Sequence, residues 1–289
     1  MLAHGRVVDL DRPRVVAIVN ATPDSFYDGG VLRSLDDALN LCARAVADGA
    51  AMLDIGGEST RPGAHAVNPD EQIRRVRPIV EAIRSAGDAA LADVPISVDT
   101  TSAAVARACI EAGADAANDV SGGTADPAMC STVAELGAGL VLMHRRVRPE
   151  RDRFSDAYEH DPAYEGGVVR MVAAALDECA ADAITAGVPR GNIAIDPGLG
   201  FGKSVEQNME LLTGIAELAG RGFPVLVGAS RKSFVGRVSL DRESDPAERL
   251  AGSIAATVLA ARGGALLHRV HDAAPHVQAL RLCRVAGRE

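Results

Sequence analysis

Residues 15–30 read VVAIVNATPDSFYDGG. The run is near-continuously apolar up to Asn20, the pattern of a parallel strand covered on both faces. An open, doubly wound sheet normally carries a glycine-rich fingerprint straight after its first strand. Here that place reads NATPDSFYDGG, so the dinucleotide-binding reading lacks the residues it needs. Similar apolar runs recur at 51–57, 95–100, 116–122, 139–144, 192–198, 224–230 and 265–271, each bounded by polar residues or glycine. Between them lie helical segments. Leu35, Leu39, Cys42 and Val46 form one apolar stripe that Gly49 stops, and 75–86 and 105–112 behave alike. Alternation of strand and helix implies a parallel sheet, and a count of eight implies closure. The expected fold is α/β, a single (β/α)8 TIM barrel over residues 1–289.

The bulk properties narrow the function classes. The chain has 289 residues, is 47% hydrophobic and lacks Trp, so aliphatics and Ala must fill a large core. A net charge of −9 argues against nucleic acid and acidic membrane surfaces as partners. One local exception is Arg145, Arg146, Arg148, Arg151 and Arg153, read as a solvated face, with an anion-steering rim as the alternative. Five scattered cysteines without C-x-x-C indicate neither a zinc site nor a disulfide framework. No leader peptide and no run of transmembrane length are apparent, so a soluble, cytoplasmic chain is expected.

A second stretch, DPGLGFGKS at 196–204, ends in Gly-Lys-Ser as a nucleotide phosphate loop does. That loop needs a glycine five places before Gly202, and position 197 holds Pro197, which has no N–H to offer a phosphate. The run is therefore read as a rim loop that lets backbone approach a ligand, with Phe201 as an apolar wall. Lys203 is read as a solvated or helix-start lysine.

In a barrel the strand C-termini share one mouth. They carry Asn20; Asp54 with Glu58–Arg61; Asp99; Asn118 and Asp119; Met143 and His144; Asp196; Ser230–Lys232; and Arg269 with His271 and Asp272. Asp99, Asn118 and Asp196 suit a planar heterocycle with adjacent N–H donors. Lys232, Arg61, Arg269 and His271 supply donors and positive charge, suited to an anion. No metal cage is visible, but Mg²⁺ carried by a diphosphate needs only one or two protein oxygens, and the Asn20 amide can be one.

AIVNATPDSFYDGG, DIGGESTRPG, ISVDT, NDVSGG, DPGLGFGK, GASRKSF and RVHD, in this order from residue 17 to 272, resemble the dihydropteroate synthase family, the folate-pathway enzymes inhibited by sulfonamides. The resemblance implies displacement of diphosphate from 6-hydroxymethyl-7,8-dihydropterin diphosphate by 4-aminobenzoate, with Mg²⁺ as cofactor. It implies a pterin site of Asp99, Asn118, Met143, Asp196, Lys232 and Arg269. Asn20, Arg61, Arg269 and His271 match the diphosphate end, with Asn20 on the metal. Phe26, Thr60, Pro62, Phe201 and Ser233 match the aminobenzoate side, its carboxylate at a helix N-terminus near Ser233. Asp24, Arg61 and Lys232 match the catalytic set, Asp24 supporting a cationic pterin. Loops 20–30 and 58–68, after strands one and two, are expected to move and close, and a homodimer is expected through helices near the C-terminal end.

Residues 145–165 depart from the family's M-x-G-x-P-x-x-M. His268, beside Arg269, is expected on the opposite face of its strand, packed rather than ligating. Two competing readings are a synthase-like paralogue that binds pterin but lacks this reaction or uses another acceptor, and a pterin-dependent methyltransferase.

Overall fold

The structure is a computed structural model that describes residues 2–21 and 34–286. Its strands are β1 (Arg14–Asn20), β2 (Met52–Gly56), β3 (Ile96–Asp99), β4 (Ala116–Asp119), β5 (Gly139–Met143), β6 (Ile193–Asp196), β7 (Leu226–Val227) and β8 (Leu267–Val270). β1 to β6 pair in sequence order and in parallel, β7 pairs with β8, and β8 returns to pair with β1. The remaining seam, β6 against β7, is held by a single bridge between Ile195 and Val225. All eight strands lie in one nearly closed barrel, as alternation of short buried strands and helices requires.

The main helices are α1 (Leu35–Ala47), α2 (Pro69–Arg84), α3 (Ala103–Glu111), α4 (Met129–Glu135), α5 (Val168–Thr185), α6 (Val205–Thr213), α7 (Ser233–Leu240), α8 (Leu250–Arg262) and α9 (Ala273–Ala286). Local chemistry starts them. Ser34 Oγ accepts the Asp37 N–H at 3.2 Å to cap α1, and Ser204 with Gln207 forms a reciprocal capping box on α6. The serine of Gly-Lys-Ser thus begins a helix. The apolar stripe of α1 is rotated from the expected one: Ala38, Cys42 and Ala45 are buried, Leu39 and Val46 flank them, and Leu35 is exposed. Small residues at the contact let the helix lie close to the barrel, which leaves bulkier ones at its margins.

Inward side chains fill the barrel in layers. At the N-terminal end Val16, Met52, Ala116, Val141, Ala194, Leu226 and Leu267 form one apolar cluster. The chain before β1 covers it with Val8 and Leu10, and is tethered by the His4 ring to the Ile110 carbonyl at 2.9 Å and by Arg6 to the buried Asp115 at 3.2 Å. No helix among the described residues is long and apolar enough to cross a membrane.

Candidate active site

The register of the sheet builds the C-terminal mouth. Asn20 lies beside Gly56, Gly56 beside Asp99, and Asp99 beside Asn118, so four strand ends stand level. Arg269 reaches in from β8 and divides its guanidinium between two carboxylates, Nε to Asp54 Oδ2 and Nη2 to Asp99 Oδ2, both at 2.6 Å. Asp54 also accepts from Asn118 Nδ2 at 3.1 Å and from Ser97 Oγ at 2.6 Å. Both of its oxygens are then engaged. Asp99 differs: its Oδ1 is buried without a hydrogen-bond partner. An interior acceptor left open costs about 1–3 kcal/mol, and a ligand N–H placed there recovers it. Burial raises the Asp99 carboxyl to about 7, with Arg269 opposing. For Arg269 burial works against the charge, but Asp54 and Asp99 more than offset it and the guanidinium stays protonated.

Across the mouth, Asp196 ends β6 level with Met143 of β5, and its Oδ1 accepts the Gly198 N–H at 2.7 Å. Burial raises Asp196, and Lys232 opposes the shift. The loop that follows requires glycine. At Gly198 the φ is +66°, and a Cβ would lie 2.1 Å from the His144 carbonyl oxygen. At Gly200 the φ is +81°, and a Cβ would lie 2.7 Å from Lys232 Cδ. The loop therefore folds directly over the Lys232 stem, and the ammonium donates to the Leu199 carbonyl and sits 4.2 Å from the Phe201 ring centre. Burial lowers the Lys232 amine to about 7, with Asp196 acting the other way.

Lys232 is presented by a strained turn. Arg231 has φ +60°, a left-handed conformation uncommon for a residue with a side chain. Its N–H is taken by Ser253 Oγ at 2.9 Å, its carbonyl by Arg249 Nη1 at 2.9 Å, and its guanidinium by both oxygens of Asp272 at 3.0 and 2.6 Å. These partners hold the turn, and α7 begins two residues later at Ser233, where free N–H groups favour an anion.

Three expectations are corrected. Lys203 does stand at a helix start, just before the Ser204 cap, but it is not solvated: it is wholly buried, with Nζ 2.9 Å from the carbonyls of Gly198 and Phe201 and 3.1 Å from His144 Nδ1. The arginine run is not uniformly a solvated face. Arg146, Arg148, Arg151 and Arg153 are exposed, but the Arg145 side chain is 4% exposed and faces the buried Asp152. His271 does not bring a positive charge. Burial first, then Arg269 and Arg231, hold its imidazole at about 3, and the neutral ring pairs through Nδ1 with Ser230 Oγ at 3.1 Å.

The mouth thus gathers Asn20, Asp99, Asn118, Met143, Asp196, Lys232, Arg269 and His271. Thr60 and Pro62 are half-buried and Arg61 exposed in the loop after β2. That loop is fastened at its base by Glu58, which accepts the Val67 N–H at 2.6 Å, and at its tip by the Gly63 N–H on the Pro149 carbonyl at 2.8 Å. Arg61 lies near enough to His271 to depress its basicity. Asp24 and Phe26 fall outside the described residues. His268 takes the expected opposite face, fully buried, with Nε2 3.2 Å from the Ala265 carbonyl. Sequence reasoning gave no role to Asp54, Asp152 or Lys203. Asp54 carried a signal, a lone carboxylate inside the apolar strand Met52–Gly56. No group of three or more His, Cys, Asp or Glu among the described residues could hold a metal ion. The neutral amide of Asn20 suits a Mg²⁺ that keeps its waters and is carried mainly by a diphosphate.

The sequence and fold have close counterparts. The family described as pterin binding enzyme matches residues 16–271. A dihydropteroate synthase of Synechocystis is 42% identical over 275 residues, covering 95% of this chain and 89% of its own length. A Xanthomonas albilineans dihydropteroate synthase structure with 4-aminobenzoic acid superposes with a TM-score of 0.86 at 42% identity, covering 99% of this chain and 97% of the other. The same organism's enzyme in complex with 7,8-dihydropteroate gives 0.84 at 39% identity, covering 99% and 98%. Identity of this order, carried over nearly the whole length of both partners, joins to the open Asp99 carboxylate and the Lys232 turn to place the chain in the pterin-binding enzyme family, among the dihydropteroate synthases.

Proposed function

We propose that this chain makes 7,8-dihydropteroate: the amine of 4-aminobenzoate attacks the exocyclic methylene of 6-hydroxymethyl-7,8-dihydropterin diphosphate. A C–N bond forms, the C–O bond to diphosphate breaks, and the amine proton passes to solvent. The observation that carries this reading is the unpartnered Oδ1 of Asp99, an open acceptor level with the Asn118 amide that Asp54 holds in place. Such a pair reads the N–H edge of a fused heterocycle. Asp196 adds a second acceptor, Lys232 a donor to the ring carbonyl, and Met143 and Arg269 the two faces.

The nucleophile needs no strong base, because an aromatic amine is neutral at pH 7. Departure of diphosphate is the harder part. Arg269 and Arg61 supply cationic donors, and His271 a neutral one. Mg²⁺ bound with the diphosphate would neutralise leaving-group charge, with Asn20 as its protein oxygen. Asp24 would support a cationic pterin if C–O cleavage leads. Phe26, Thr60, Pro62 and Phe201 would wall the acceptor, its carboxylate at the start of α7 by Ser233. Loop 58–68 would close over both substrates. The exposed Leu259 of α8 and Leu282 of α9 support a homodimer through these helices.

The test is diphosphate release with dihydropterin diphosphate and Mg²⁺, with and without 4-aminobenzoate, alongside product mass. Acceptor-dependent release with dihydropteroate formed supports the synthase. Pterin binding without that product would turn the reading to the inactive paralogue.

A further inference from the structure

Arg145 opens the segment that departs from the family pattern, yet it is built into the mouth. Its Nε donates to the Val147 carbonyl at 2.7 Å, curling the chain back on itself. Its Nη2 donates to the carbonyl of Thr60 at 3.2 Å, and its guanidinium carbon lies 4.8 Å from the Phe201 ring centre. One side chain therefore touches both sides of the acceptor pocket, the loop after β2 and the loop after β6. It is anchored from behind by Asp152, fully buried, whose Oδ2 is 3.6 Å away. Asp152 Oδ1 in turn accepts the Gly202 N–H at 3.1 Å and the Tyr158 hydroxyl at 3.1 Å. A carboxylate without its own short bond at Oδ2 keeps the guanidinium from swinging out to solvent.

We propose that Arg145 is a positioning residue that sets the width of the acceptor pocket by spacing Thr60 from Phe201, and so selects which aminobenzoate is accepted, with Asp152 as its anchor. This rests on the synthase reading above. Arg145 holds Thr60 and Phe201 directly, while it reaches the pterin site only through its charge on Asp99 and Lys232, so its loss should be felt mainly by the acceptor.

The experiment measures both KM values and the preference for 4-aminobenzoate over 3-aminobenzoate in Arg145→Ala and Arg145→Lys. Arg145→Ala is expected to raise the KM for 4-aminobenzoate about ten-fold, the loss of a cation–ring contact and a charged hydrogen bond, and to leave the pterin diphosphate KM within about two-fold. The 4- over 3-aminobenzoate preference should fall in the same variant, and Arg145→Lys, which keeps charge but not the fork, should recover part of it. If Arg145→Ala strands the Asp152 charge and does not fold, the pair R145A/D152N removes that charge and gives the same readouts. An unchanged acceptor KM and preference, or an equal rise for both substrates, overturns the proposal. An unmutated chain that forms no dihydropteroate overturns the synthase reading and this inference together.

Discussion

The ammonium of Lys203 lies 3.1 Å from Nδ1 of His144, and both side chains are shut away from solvent. Burial first, then Lys203, holds the imidazole at about 3, so a neutral ring accepts while the lysine also serves two loop carbonyls. Those carbonyls belong to Gly198 and Phe201, within the loop that carries the wall of the acceptor site. Lys203→Met keeps the volume but leaves two carbonyls and an imidazole nitrogen open. We expect a loss of about 2–4 kcal/mol, read as a fall in Tm by several degrees. An unshifted Tm would show that the loop holds itself.

Arg269 pairs with two carboxylates at equal distance, which makes Asp54 a silent partner of the pterin site. In Asp54→Asn the charge opposite Arg269 is lost and one oxygen becomes an NH₂ donor, so Arg269, Asn118 and Ser97 compete for a single acceptor. Pterin diphosphate affinity should fall about ten- to a hundred-fold by calorimetry without a comparable fall in Tm. Wild-type affinity in this variant would show that Asp54 only fills space.

Two groups facing the pterin sit near neutrality in the free protein. Asp99 accepts an N–H most strongly when ionised, and Lys232 donates most strongly when protonated. Both lie at about 7, the first raised by burial and the second lowered by it. Below that pH the carboxylate takes up a proton, and above it the ammonium loses one. The kcat/KM for pterin diphosphate should therefore decline on both sides of pH 7. Lys232→Gln should be slower throughout and should lose the alkaline decline. A profile flat from pH 5 to 9 would contradict this.

Four imidazoles, those of His144, His268, His271 and His276, are held below their ordinary range, each first by burial. Each folded value lies below the unfolded one near 6.5, so the unfolded chain binds protons first as pH falls. Their contribution to stability is intact above pH 6.5 and is lost between there and about 4 for His268 and His276. Each contributes at most about 1.4 kcal/mol per pH unit. Replacing His276, whose Nδ1 is 2.9 Å from Thr257 Oγ1, by Gln should flatten the fall of Tm between pH 6.5 and 4. An unaltered slope would assign the acid sensitivity elsewhere.

The frame was legible in the sequence because it rests on local rules. Short apolar runs ending in Asn20, Asp99, Asn118 and Asp196 follow strand periodicity, and the barrel brings their ends together. Less visible were residues whose meaning depends on what is packed over them. Lys203 follows a glycine and precedes a helix cap, a place that reads as surface; only the fold of the loop over His144 buries it. Arg145 stands among four arginines that do face solvent, and Asp152, remote in spacing, sets it apart. His271 looked cationic because isolated imidazoles titrate near neutrality; burial, aided by two adjacent guanidiniums, reverses that.

The chain before β1 covers the lower end of the barrel. It closes the floor of a vessel whose chemistry happens at the lid. Its contacts reach Ile110, Asp115 and the Val16 cluster, and none of the mouth residues. Substitutions at the mouth can therefore be absorbed without loosening the floor, and the two ends are free to change independently. A chain cut back to residue 11 would keep every substrate-facing group, yet water would reach the underside of the apolar plug from below.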